Sequence, residues 1–490
     1  MHDLHTADGS GPRELTIGYV GGGSRGWARS LMTDLALTPD LTGEVRLYDI
    51  DHEAARRNAE LGTTIDDHPD AESDWSYRAV DSLAAAFSGA DAVVCSTQDA
   101  PGETMVYDLE LPAEYGIHQT VGDTVGPGGC LRAMRAVPQY REIAAAVREH
   151  CPAAWVLNFT NPMTVCTRAL YEEYPGINAI GICHEVYGTQ GHLAELAGRR
   201  WGVDADRDEV SVDVTGINHF TWLTAARWDG RDLFPLLEAE LADRRPLPDG
   251  TVGDLDDASY FVDNEMVAYD LFDRFGAFPA AGDRHLAEFV PRYLDVDASE
   301  AVQRWGIRVT PAEYRTGVWP EGDERREAIL DGEVDLDLSR SGEEAVDVLR
   351  ALAGLEPLKT NLDLPNDGQA PDLRDGAVVE TNVLLTADEA TPLTAGRLPA
   401  QVRRMVDTHV TNQETLVAAG FEGDVDRAYR AFVNDPLVGI DPERARALFA
   451  ALVDVQRPYL TDWDLDGAAV LAAAEAEAEA GGGAGAEAAE

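Results

Sequence analysis

Four short stretches carry side chains whose types and spacing could do chemistry. The first, Gly21-Gly22-Gly23-Ser24-Arg25-Gly26, fits G-x-G-x-x-G between an apolar, β-rich run and a helical one. Glycines there close a tight turn and let a pyrophosphate approach N–H groups at a helix N-terminus, where the macrodipole favours anions. Gly21, Gly23, Ser24 and Gly26 are therefore candidate cofactor contacts. Asp49 follows at the end of the next β-rich run, at the position where a carboxylate accepts from a ribose hydroxyl and favours NAD over NADP. The second stretch is Asn158-Phe159-Thr160-Asn161-Pro162. Amides past a parallel strand can bond a cofactor ribose or a sugar hydroxyl, although Asn before Pro is also an ordinary turn signal.

The third candidate is split between Gly181-Ile182-Cys183-His184-Glu185-Val186 and Gly216-Ile217-Asn218-His219-Phe220. A thiolate and an imidazole brought together from two such turns would hold a divalent transition metal with positions open for substrate oxygens. The competing reading is a buried hydrophobic cysteine and a satisfied histidine donor. The fourth, Gly282-Asp283-Arg284-His285-Leu286-Ala287-Glu288-Phe289, places four ionisable side chains within eight residues. That density fits a site, since desolvated charges are costly unless paired, or a solvated helix start.

Positioning these residues requires a parallel sheet. Leu15–Val20, Val45–Ile50, Asp91–Thr97, Trp155–Thr160 and Ala179–Cys183 are short apolar runs bounded by Gly, Asp or Pro. Arg25–Leu37, His52–Leu61, Leu131–His150 and Pro162–Tyr174 have helical spacing between them. Strand and helix in alternation predict a doubly wound, Rossmann-like α/β domain. Beyond Val186 the pattern becomes mixed, with a β-rich stretch over Val210–Trp228 and helices expected over Ser259–Phe275, Glu343–Leu352, Pro399–Ala418 and Pro442–Val455. The expected organisation is a flexible N-terminus over 1–14, a nucleotide-binding domain over 15–185 and a mixed α+β domain over 186–470. The Ala, Glu and Gly tail over 471–490 is expected to be frayed helix or disorder.

Composition narrows the partners. The 490 residues contain 89 Asp plus Glu against 39 Lys plus Arg, a formal net charge of -50, and Lys359 is the only lysine. Such a surface repels nucleic acid and anionic membranes, which need a basic footprint. It resembles the surfaces of proteins from salt-saturated cytoplasm, a halophilic reading. Five cysteines without paired spacing, no signal-peptide core at the N-terminus and no apolar run of membrane-spanning length predict a cytoplasmic protein.

Taken in order, the Gly21–Gly26 turn, Asn158–Pro162, Cys183-His184-Glu185-Val186 and Asn218-His219-Phe220 resemble the family 4 glycoside hydrolases over most of the chain. That family is the NAD-dependent exception among glycosidases. The resemblance implies a fold like that of lactate and malate dehydrogenases, a requirement for NAD and Mn2+ or another divalent metal, and a homodimer or homotetramer. It implies Cys183 and His219 as metal ligands and Asn158 at the cofactor. The mechanism it implies oxidises the sugar at C3, removes the C2 proton, eliminates the C1 oxygen, adds water and returns the hydride. Asp283 matches the base of members acting on unphosphorylated sugars, with Tyr260 as the other candidate, and His184 is a candidate acid for the leaving oxygen.

A histidine directly after the cysteine marks enzymes for sugars without phosphate. Gly122–Gly129 and Gly282–Phe289 look most like the α-galacturonidase branch, with α-glucosidase, α-galactosidase and α-glucuronidase as alternatives. Asp123, Asn161 and Glu185 are then expected at the sugar, and Arg284 or Arg132 could clamp a C6 carboxylate bidentately. A plain NAD-dependent dehydrogenase would accumulate NADH on turnover, and a nucleotide-sensing protein would carry no metal. The charge balance makes a separate prediction. The melting temperature should climb steeply from dilute buffer to molar KCl, as the Debye length shrinks to about 3 Å; a flat profile would contradict the halophilic reading.

Overall fold

The computed structural model describes residues 11–98, 100, 102–244, 263–294, 305–309, 311–387 and 389–486. Six parallel strands form the first half of one sheet: β1 (Arg13–Val20), β2 (Leu41–Tyr48), β3 (Trp75–Ala79), β4 (Ala92–Cys95), β5 (Trp155–Asn158) and β6 (Asn178–Gly181). Their spatial order is β3-β2-β1-β4-β5-β6. The order reverses between β1 and β4, which opens a crevice at the strands' carboxyl ends. All four residues of β4 and of β5 are buried, as expected where helices cover both faces of a parallel sheet. The helices His52–Asp66 and Glu185–Trp201 show local start and stop chemistry. Asp51 caps the first by accepting from Ala54 N–H, and Gly202, in the left-handed region at φ 68°, ends the second.

The second half extends the same sheet. The hairpin β7 (Val210–Ile217) and β8 (Phe220–Trp228), with β9 (Arg231–Asp232), joins through β10 (Leu358–Pro365) and β11 (Val378–Thr386), while β12 (Glu389–Pro392) pairs with β11. β10 runs antiparallel to β6, and β11 pairs antiparallel with β7. The mixed second half therefore continues a single twelve-stranded sheet. β10 and β11 escaped the sequence reading because Asn361, Asp363, Glu380 and Thr381 are buried polar residues that break the apolar run.

Most expected helices form within a few residues of their expected ends: Trp27–Ala36, Met163–Glu173, Ala345–Leu352, Ala400–Glu422 and Pro442–Val455. The helix Gly126–His150 starts earlier than its spacing indicated, with Pro127 in its first turn. Helix Met266–Phe275 covers the later part of Ser259–Phe275, whose first residues lie outside the described ones. In the tail a helix runs over Ala469–Ala486, and Asp426 accepts from Ala469 and Val470 N–H at its start. Among the described residues no helix is long and apolar enough to cross a membrane.

One buried ion pair locks the helix layer. Arg135 on the helix Gly126–His150 meets Asp108 on the helix Glu103–Glu114 at 2.7 Å, both almost fully buried. Gln456 donates to the same carboxylate at 2.8 Å. Removing one partner strands a buried charge, which typically costs about 3–5 kcal/mol. Arg135→Met should therefore lower the denaturant midpoint strongly, and Arg135→Met/Asp108→Leu should recover much of the loss; equal losses in both would argue against an electrostatic origin.

Candidate active site

The carboxyl ends of β1, β2, β5 and β6 carry the glycine turn, Asp49, Asn158–Pro162 and Cys183–Val186, while Asn218 and His219 follow β7 and Asp283 opens a helix. Gly21 sits at φ 86°, and a Cβ there would lie 2.1 Å from the Ser96 carbonyl oxygen. Only glycine fits that approach. Gly23 N–H donates to Asp49 Oδ2 at 2.9 Å, and Asp51 N–H donates to Asp49 Oδ1 at 2.9 Å. Asp49 thus shapes the turn while remaining at the end of β2, where each oxygen keeps a further lone pair. Gly26 begins the helix Trp27–Ala36 with no side-chain cap, so the first N–H groups are left to a ligand or to water.

Asn158 does not face the crevice. Its side chain is fully buried, accepting from Tyr140 Oη at 2.6 Å and from Thr160 N–H at 3.0 Å. It holds the Asn158–Asn161 loop in shape. Asn161 reaches further and donates to Asp123 Oδ2 at 3.2 Å.

Asp123 leads to the most concentrated set of ligand atoms. One atom each from Asp123, His219 and His285 lies within 4.8 Å of the others, a spacing that a cation could bridge. The imidazole rings of His219 and His285 stack at 3.8 Å. Thr124 Oγ1 donates to Asp123 Oδ1 at 2.7 Å and lies 2.8 Å from His219 Nδ1. A hydroxyl has one proton, so Thr124 must accept at His219; that puts the imidazole proton on Nδ1 and leaves Nε2 as a bare donor atom. Burial, with the His285 ring next, drives the His219 pKa down to about 3, so the ring is neutral and ready to ligate.

Cys183 is outside that trio. Its thiol is buried, and burial followed by the charges of Glu380 and Glu185 pushes its pKa well up. A thiolate there needs a cation beside it. Glu185, first residue of its helix, accepts from Gly282 N–H at 2.7 Å and faces His285 Nε2 at 3.7 Å and His184 Nε2 at 3.9 Å. His184 is half exposed at the mouth, with Glu343 3.6 Å from its Nδ1 and Trp27 nearby, ring centroids 6.4 Å apart.

Asp283 starts the helix Asp283–Phe289 and is buried. Its carboxylate accepts from Met266 N–H at 2.6 Å and Ala268 N–H at 2.9 Å, the first turn of helix Met266–Phe275. Burial and then the neighbouring Asp263 raise its pKa well above the usual carboxylate range. Arg284 donates to the Thr120 carbonyl at 2.6 Å, and Glu288 accepts from Val121 and Gly122 N–H, so this helix is stitched to the loop leading to Asp123. Arg132 lies on the helix Gly126–His150, which begins three residues after Asp123. Tyr260 lies outside the described residues.

Family models for the family 4 glycosyl hydrolases match residues 16–199, and those for the C-terminal domain of that family match residues 214–438. The chain belongs to the family 4 glycosyl hydrolases. It is 42% identical to an alpha-galacturonidase of Thermoanaerobacterium saccharolyticum, over 92% of this chain and 98% of that protein. A Bacillus subtilis protein of known crystal structure is 43% identical and superposes with a TM-score of 0.84, covering 90% of this chain and 99% of the other. A 6-phospho-alpha-glucosidase from gut microorganisms, solved in complex with NAD and Mn2+, shares the fold at 20% identity and a TM-score of 0.75, covering 92% and 99%.

In this family 4 hydrolase the residues fit both small groups that the sequence pointed to. The glycine turn, the uncapped helix start and Asp49 form a nucleotide cradle, and Asp123, the neutral His219 and His285 converge where a cation could bridge them. His285 and Thr124 are the site residues that sequence reasoning passed over. The signal for His285 was present in the ionisable cluster after Gly282; nothing local marked Thr124, whose role depends on a partner 95 positions away.

The neutrality of His219 makes a pH prediction. In the unfolded chain this ring takes a proton near pH 6.5, whereas in the folded protein it does so only near pH 3. Its contribution is therefore complete above pH 6.5 and is lost as pH falls towards 3, by at most about 1.4 kcal/mol per unit. His219→Asn should make the fall in melting temperature between pH 7 and 5 shallower than in wild type; identical slopes would refute a buried neutral imidazole.

Proposed function

We propose that the chain is an α-galacturonidase that hydrolyses α-galacturonides with bound NAD+ and a divalent cation, Mn2+ being the first choice. The observation that carries this reading is identity above 40% along nearly the whole length of an alpha-galacturonidase, together with the Asp123, His219 and His285 cluster, which Asn161 joins through Asp123. When bound, NAD+ supplies a hydride acceptor for the sugar C3 position and the cation supplies Lewis acidity towards sugar oxygens.

The chain's own residues do the rest. Gly21, Gly23, Ser24 and Gly26 bind the pyrophosphate, with Asp49 at the ribose. Cys183 and His219 hold the cation, with Asp123 and His285 facing the same space. Asp123, Asn161 and Glu185 orient the sugar, and Arg284 or Arg132 takes the C6 carboxylate. Asp283 is the proposed base at C2. Its raised pKa makes it a strong proton acceptor once ionised, and the two N–H donors from the helix start support that ionised form. Tyr260 is the next candidate. His184, half exposed and beside Glu343, is the candidate acid for the leaving oxygen.

The test is a panel of aryl α-galacturonide, galactoside, glucoside and glucuronide with NAD+, Mn2+ and reductant at high salt. Turnover should be confined to the galacturonide, need both additions and accumulate no NADH. Product formed in D2O should carry deuterium at C2, and Asp283→Asn should keep NAD+ and Mn2+ binding while losing proton exchange and hydrolysis together. Full activity in metal-free, NAD-free protein would overturn the mechanism, and preference for another sugar would overturn the substrate.

A further inference from the structure

His219 occupies the left-handed region at φ 65°, where a residue with a side chain stays only if its surroundings impose it. The turn that contains it joins β7 to β8 and follows Gly216 near the end of β7, where a Cβ would lie 2.4 Å from the Phe220 carbonyl oxygen. What imposes the turn lies beneath it. Asp363 on β10 and Glu380 on β11 are directly opposed in the antiparallel register, and both are buried. Asp363 also pairs with Gly181 on β6, two residues before Cys183, and Glu380 pairs with Gly216 on β7. Gly181 must be glycine here, since a Cβ would come 2.8 Å from the Asp363 Cβ.

The two carboxyls hold opposite ends of the turn. The Asn218 N–H faces Asp363, and Thr221 Oγ1 donates to Glu380 Oε2 at 2.6 Å. Asn361 donates to Glu380 Oε1 at 2.7 Å, while Asp363 Oδ2 has no hydrogen-bond partner. Among the described residues neither acid forms an ion pair. Two buried carboxyls opposed across neighbouring strands with no cationic side chain paired to either do not both ionise, so they hold one proton between them. Burial first and the facing carboxylate next push Asp363 well up, and burial pushes Glu380 up to about 7.

We propose that Asp363 and Glu380 act as a single proton-sharing pair that positions the Asn218–His219 turn, and so presents the His219 imidazole to the cation. They are positioning residues rather than catalytic ones. The inference rests on reading His219 as a metal ligand. A carboxylate beside a carboxamide reproduces the hydrogen inventory of a carboxylate beside a carboxylic acid. Asp363→Asn or Glu380→Gln alone should therefore preserve the turn. The double amide variant turns two NH2 groups towards each other, and alanine at either position removes an acceptor.

The experiment compares backbone amide exchange of the peptide spanning Asn218 and His219, and Mn2+ affinity by electron paramagnetic resonance of the free ion, in wild type, Asp363→Asn, Glu380→Gln, the double amide, Asp363→Ala and Glu380→Ala. NAD+ binding serves as the fold control. The single amides should match wild type in exchange and affinity. The double amide and the alanine variants should exchange faster in this peptide and bind Mn2+ about ten- to a hundredfold more weakly, with NAD+ affinity unchanged. Should the alanine variants fail to fold, the contrast between single and double amides decides alone. His219→Asn separates the two readings: if it binds Mn2+ like wild type, the metal role fails, and amide exchange alone then judges the positioning role. Wild-type exchange in the double amide, or single amides as damaging as the double, would overturn the proposal.

Discussion

The structure depends on how the sheet is spliced after its sixth strand. β6 does not end the sheet; β10 and β11 pair antiparallel onto it and carry β7 on their far side. β7 runs opposite to β6, yet one row of strand pairs sets the last residues of both strands level, so Cys183 and the Asn218–His219 turn come together although two strands lie between them. The register Gly181 to Asp363 to Glu380 to Gly216 runs straight across the splice. Glycine at both outer positions and acids at both inner ones leave room and hydrogen-bond acceptors directly under the site.

Electrostatics divides the molecule into two regimes. On the outside, the excess of acids over bases is spread across solvent, where screening limits its cost. Inside, every acid near the site needs a local answer. Asp108 has Arg135, Glu288 accepts N–H groups of Val121 and Gly122, and Asp283 accepts those of a helix start. The charges of Glu380 and Glu185 bear on Cys183, and neither acid has a lysine or arginine in an ion pair with it among the described residues. Neutral His219 contributes no compensating charge. A divalent cation answers that imbalance and would let the buried thiol ionise.

The nucleotide side obeys a different logic. Its shape comes from backbone geometry, with Gly21 pressed against Ser96 and Gly23 against Asp49, and from a helix start without a side-chain cap. The two halves meet at Asn161 and Trp27. Asn161 touches Asp123 of the cation cluster, while Trp27, in the first turn after the glycine loop, packs near Phe159 and His184 with ring centroids 5.6 and 6.4 Å away.

The sequence alone determined whatever depends on local periodicity and turn chemistry. Alternating apolar runs and helices settle a doubly wound sheet, because a parallel strand buried on both faces must be apolar throughout. The glycine turn followed by Asp49 marks its ligand edge, and the order of the Cys183 and His219 motifs was enough to resemble a family. Tertiary structure decided the pairings that no local pattern encodes. Thr124 acquires its role from His219, 95 positions away, and His285 from stacking on the same ring. Asn158, a plausible ligand contact by position, is turned inward by Tyr140. Nothing local in the sequence marks Asp363 and Glu380 as buried, and only long-range strand pairing makes them buried neighbours, because burial and register are properties of partners rather than of the segment itself.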